Sequence, residues 1–110
     1  MDLKTYIENG ANIHANNDYA LRRSVQNGHI EIVKYLLENG ANIHAQDDGA
    51  LRWSAEYGHL EIVKYLLQNG ADIHAKDDDA LGLATENNKQ DVVDFLTNYH
   101  PITRIKSARN

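Results

Sequence analysis

The chain contains no cysteine. Disulfides, thiolate metal sites and a cysteine nucleophile are therefore excluded, and a reducing compartment is compatible with the composition. Proline occurs once, at Pro101, and tryptophan once, at Trp53. No apolar run approaches the roughly 20 residues that a bilayer-spanning helix needs. The opening MDLKTYIENG lacks a basic region followed by an apolar one, so no secretory leader is expected. Basic charge is scarce as well: 11 Lys and Arg face 16 Asp and Glu, a formal net charge of −5. Residues 1–100 hold all 16 acids against 8 basic groups, leaving −8, while PITRIKSARN at the end holds three basic groups and no acid. An acidic body argues against a nucleic-acid partner, because phosphate contacts need a basic face.

What the chain does have is repetition. GHIEIVKYLLENGANIHA begins at Gly28 and returns as GHLEIVKYLLQNGADIHA at Gly58. The period is 30 residues, with units at 9–38, 39–68 and 69–98; the first two agree at 21 of 30 positions and the second and third at 13 of 30. Self-similarity at this period marks a solenoid, in which each unit buries its apolar face on its neighbours. The 110 residues, 42% hydrophobic and 25% charged, read as one soluble globular domain with a modest core.

Each unit reads as two helices and a connector. In the second, ALRWSAEY places Leu51 and Ala55 at i and i+4, and Asp48 stands where a helix cap is expected, as do Asp18 and Asp78. Gly58 closes this inner helix. The outer helix LEIVKYLLQN carries Ile62, Val63, Leu66 and Leu67 as an apolar stripe, and Gly70 closes it. Asp2, Leu3, Tyr6 and Ile7 read as the capped second half of one more outer helix, giving seven helices in all. At the other end Gln90, Asp94 and Thr97 replace Leu60, Lys64 and Leu67, which suits a face without a following neighbour, and Pro101 stops the last helix. Residues 101–110 are expected to form a frayed basic tail.

GHLEIVKYLLQNGADIHA, with ALRWSAEYGH before it, resembles the ankyrin repeat in its outer helix, following loop and inner helix. The resemblance covers residues 2–99, and its texture is similar to the ankyrin arrays of giant DNA viruses of amoebae. It implies an all-α solenoid of stacked helix pairs: one domain over 1–100, made of a half repeat at 1–8 and three repeats at 9–38, 39–68 and 69–98. The repeat is shorter than the roughly 33 residues usual for the family. The shortage falls between IHA and the inner-helix Leu, where Tyr19-Ala20-Leu21-Arg22, Gly49-Ala50-Leu51-Arg52 and Asp79-Ala80-Leu81-Gly82 replace the family's Thr-Pro-Leu-His. Tight loops are expected in place of projecting β-hairpins.

Several residue sets invite chemistry. His14, His44 and His74 recur once per unit, but stacked equivalents stand roughly 10 Å apart, whereas zinc ligands sit about 2 Å from the metal. Hydrogen bonding within each loop is the reading adopted, and no metal or cofactor is expected. By resemblance, hydroxylation of these loop histidines is an alternative. Asp18, Asp47, Asp48, Asp77, Asp78 and Asp79 line the loops, yet KDDDA lacks the spacing and distal Glu of an EF-hand. Capping and a solvated acidic edge account for them. Arg22 and Arg52 lie one helical turn from Asp18 and Asp48, a spacing that permits pairing. Trp53 reads as packing between inner helices rather than as a binding anchor. Gly10, Gly40 and Gly70 are helix terminators and not a phosphate loop, and no Ser-His-Asp arrangement emerges.

The resemblance implies a non-catalytic protein-interaction module. Its concave face maps onto Gln26, Asn27, Glu56, Tyr57, Glu86 and Asn87 of the inner helices and onto Asn16, Asn17, Tyr19, Gln46, Asp47, Gly49, Lys76, Asp77 and Asp79 of the adjoining loops. This set is polar with an acidic edge, and it suits a protein partner of basic or mixed charge. No nucleic-acid or membrane partner is expected. A monomer and an intracellular, cytoplasmic location (that of a host cell, were the chain viral) are expected. The alternatives are a structural segment of a longer array without a partner of its own and a metal-assisted enzyme.

Overall fold

The computed structural model describes residues 15–99, and the side chains of 18–99. Among the described residues there are six helices and no strand: α1 Ala15–Gln26, α2 Ile30–Glu38, α3 Ala45–Tyr57, α4 Leu60–Gln68, α5 Ala75–Glu86 and α6 Gln90–Thr97. They alternate as inner and outer helices in three pairs. The helix expected near residues 1–8 and the tail at 101–110 lie outside the described residues.

The apolar stripe of the outer helix becomes the core. Ile62, Val63, Leu66 and Leu67 of α4 are all buried, as are Val33 and Leu36 of α2 and Val92 and Leu96 of α6. Each large aliphatic so enclosed contributes roughly 1.5–3 kcal/mol relative to exposure. Inner helices bury Leu21, Val25 and Leu51 together with small side chains: Ala50, Ser54 and Ala55 in α3, Ala80 and Ala84 in α5. Small residues allow close approach, and successive inner helices pack on one another more extensively than successive outer helices do. Ser54 stays satisfied when buried because its hydroxyl donates to the Leu51 carbonyl at 2.9 Å; Ser24 donates likewise to Leu21. Gln90, Asp94 and Thr97 are exposed on α6, the last described helix.

Gly58 ends α3 with φ +77, a left-handed conformation that glycine adopts without a Cβ clash. The chain then folds back so that the His59 N–H donates to the Ser54 carbonyl at 2.9 Å. In the third unit Asn88, at φ +59, performs the same turn.

The two connectors among the described residues carry no hairpin, but they do more than shorten the loop. Gln46, Asp47 and Asp48 all have left-handed backbones, with φ 58, 57 and 55, and Lys76, Asp77 and Asp78 repeat this at 54, 56 and 63. The sequence reading of Asp48 and Asp78 as caps is corrected here. A capping residue has an extended backbone, whereas each of these closes one turn of left-handed helix before the right-handed helix resumes at Gly49 and Asp79. For L-residues that conformation costs roughly 1–2 kcal/mol each. Hydrogen bonds to the turn offset that cost.

Candidate functional site

The bonds that hold the left-handed turn of the second unit come from side chains within the unit and from two groups of the following one. The Asn42 side chain accepts the His44 N–H at 2.9 Å, and the Asp48 N–H closes onto the His44 carbonyl at 3.2 Å. Arg52 then reaches back over the turn. Its Nη2 donates to the Gln46 carbonyl at 2.8 Å and its Nε to the Asp47 carbonyl at 3.1 Å. Its Nη1 donates to Asp79 Oδ2 of the following unit at 3.1 Å. The expected pairing of Arg52 with Asp48 is thus replaced by a bridge to Asp79. Asp48 is only 6% exposed. His44 Nδ1 lies 3.0 Å from both of its carboxylate oxygens, and the backbone N–H of Asp72, again in the following unit, donates to it at 2.7 Å. A charge this enclosed requires such donors.

The third unit keeps part of this arrangement. His74 Nδ1 meets Asp78 Oδ1 at 2.5 Å, but the two side chains are 78% and 58% exposed. The hydrogen bond to Asp78, and then the charge of that carboxylate, raise the His74 pKa above its ordinary value. Gly82 stands where Arg52 stands in the second unit, so that clamp is missing. Both described loop histidines are thus hydrogen-bonded within their own loops.

His59 has a structural role at the opposite edge. Its ring fills the space above Gly28, where a Cβ would come within 2.8 Å of Cε1, and Nε2 lies 3.1 Å from the Gln26 carbonyl. A donor at the last carbonyls of α1 complements the helix end. Tyr57 stacks on the same imidazole, with ring centres 6.3 Å apart.

The solvent face of the inner helices consists of two ridges at helical spacing. In α3 they are Gly49-Trp53-Tyr57 and Arg52-Glu56. Tyr19 and Tyr57, 49% and 46% exposed, are the large apolar-bodied side chains most open to water. Asn27, Gln46, Asp47, Lys76, Asp77, Glu86 and Asn87 are exposed, and Gln26, Glu56 and Asp79 are half-buried. Gly49 is buried beneath the Trp53 ring. The side chains of Asn16 and Asn17 lie outside the described residues.

The sequence reading passed over a basic and aromatic cluster on this face. The Arg22 guanidinium lies 5.1 Å from the centre of the Trp53 ring and that of Arg52 5.9 Å, while Arg23 lies 5.9 Å from the Tyr19 ring. The signal was present: Tyr19 and Arg23 stand at i, i+4 in the first unit, and Gly49 and Trp53 occupy the same two positions in the second. Trp53 is half-buried between inner helices, as the sequence reading held.

Among the described residues no group of three or more His, Cys, Asp or Glu is placed to hold a metal ion, and no helix is long and apolar enough to cross a membrane. Three helix pairs stacked in register, with carboxylate and guanidinium ties between units, define a helical repeat solenoid. The family model for ankyrin repeats in three copies matches residues 2–77 and again 50–107, and the chain belongs to the ankyrin repeat family. The comparison with curated proteins gave no match. Ankyrin repeats generally serve as protein-interaction modules and are typically non-catalytic.

Proposed function

We propose that this chain is a non-catalytic binding module that takes a protein partner of basic or mixed charge on the solvent face of its inner helices and the adjoining loops. One observation carries the reading. Buried or half-buried inner-helix positions repeat, with Ala20, Ala50 and Ala80 alike and Leu21, Leu51 and Leu81 alike, while more open positions change: Asn27, Tyr57 and Asn87; Gln26, Glu56 and Glu86; Gln46 and Lys76. A face that served only stacking would have no need of that variety. Asp47, Asp77 and Glu86 are exposed acids, and Tyr57 offers an aromatic body with a wet hydroxyl.

The test compares proteins captured from a lysate of the native host by the wild-type chain and by variants. Asp47→Asn with Asp77→Asn should slow association, and more so at low salt, because exposed charges act over a Debye length of about 8 Å. Asp79 is left intact because it holds Arg52. Tyr57→Ala should chiefly speed dissociation. Circular dichroism first establishes that each variant is folded. If these variants bind as the wild type does while changes at Glu31, Lys34, Glu61 and Lys64 of the outer helices abolish binding, the reading is wrong.

A further inference from the structure

Charge along the inner face is not uniform. α1 carries two arginines against one aspartate, α3 one arginine against three acids, and α5 one lysine against four acids. The contrast is sharper at the surface. Arg22 and Arg23 are exposed, whereas Asp18 and Asp48 are buried. Of the α5 acids, Asp77, Asp78 and Glu86 are exposed and Asp79 is half-buried. The third unit has Gly82 and Leu83 where the first has Arg22 and Arg23, so it has no arginine of its own, and of its acids only Asp79 is met by one, Arg52 of the second unit. The face therefore runs from positive on the first unit, through the guanidinium-flanked Trp53, to negative on the third. The outer helices have no positive end: α2 has one lysine and two acids, α4 one of each, and α6 two acids and no basic residue.

Resting on the reading of this face as the docking surface, we infer that its occupant is an extended segment of bipolar charge, with acidic residues over Arg22 and Arg23 and basic residues over Asp77 and Glu86. The geometry sets its length. Two helix spacings separate α1 from α5, roughly 20 Å, and an extended chain advances roughly 3.3 Å per residue. Acidic and basic groups should therefore lie about six residues apart. An aromatic or arginine side chain midway would meet the Trp53 ring and the Tyr57 hydroxyl. A uniformly basic segment would suit the third unit but place like charges on Arg22 and Arg23, and such juxtapositions are strongly unfavourable.

The experiment uses three synthetic peptides with blocked termini, so that end charges do not contribute. One has a Glu pair and a Lys pair separated by about four neutral residues. The second has the same composition with Glu and Lys alternating, and the third has Lys in place of every Glu. Calorimetric titration into the full chain at low salt should show the bipolar peptide binding at least roughly tenfold tighter than its alternating isomer. In the double variant Arg22→Glu, Arg23→Glu the order should invert, with the all-Lys peptide tightest. Arg23→Glu alone repeats the test without disturbing the Arg22 contact to Trp53. Equal affinity of bipolar and alternating peptides overturns the inference. Tightest binding of the all-Lys peptide to the wild-type chain overturns it too, yet leaves the acidic docking face standing. Failure of all three to bind overturns both.

Discussion

The Trp53 ring occupies the space that a side chain at position 49 would need: a Cβ there would stand 2.6 Å from Cη2. Glycine is poorly suited to a helix, yet α3 accepts Gly49 because only a bare Cα leaves room for the indole. Gly49→Ala should thus destabilise by about 1–3 kcal/mol despite the better helix propensity of alanine. In a Trp53→Leu background, which copies the Leu83 of the third unit, the same change should become neutral or stabilising. A double-mutant cycle by denaturant titration reads the coupling. Additive effects would mean that the indole does not lie on Gly49.

Arg52 holds the left-handed turn of its own unit to the loop of the next. Removing it leaves the Gln46 and Asp47 carbonyls without their charged donor. Arg52→Ala should cost about 2 kcal/mol. Asp79→Asn removes only the outer, partly exposed half of the ion pair and should cost less than about 1 kcal/mol. Equal losses from the two variants would assign the work to the ion pair and not to the clamp on the turn.

Leu66 joins the units from the outer layer and is fully buried. Leu66→Ala should cost about 2–5 kcal/mol through lost transfer energy and a cavity. That is a large share of the roughly 5–15 kcal/mol expected for a domain. A shift below about 1 kcal/mol in denaturant titration would place Leu66 outside the core.

The His74–Asp78 pair gives a pH dependence of known sign. The pKa of His74 is raised in the folded chain, above the value of about 6.5 that an unfolded chain has. The pair's contribution is therefore fully present below that unfolded value and is lost as pH rises through the higher folded one. An NMR titration should find the His74 ring titrating above the ordinary histidine range, and Asp78→Asn should bring it down. An unchanged midpoint in Asp78→Asn would show that the carboxylate is not its cause.

Much of the architecture was legible because it is local. The four-residue stripe of the outer helix, the glycines that close helices and the 30-residue period are properties of neighbouring residues, and the helices of each described unit follow from them. The surface cluster of Tyr19, Arg23, Gly49 and Trp53 was half-legible, since a small residue facing a large one at i, i+4 is visible in the sequence, but the Arg22 that completes it belongs to a different helix.

Only the tertiary structure decided how the units are tied. From spacing alone Arg52 pairs with Asp48, one turn away; in the stack it pairs with Asp79, 27 residues on. Asp48 reads as a helix cap, yet it accepts from an N–H 24 residues later. His59 reads as the start of its own helix, yet it also ties to a carbonyl 33 residues earlier. For Arg52 and Asp48 the physical reason is the same. A left-handed turn of three L-residues is unfavourable in isolation, and in the second unit bonds from its own arginine and from the next unit hold it. Which donors arrive there depends on the rotation between stacked units. The sequence determined that the units stack; their packing determined which side chains are spent on the stack and which remain on its face.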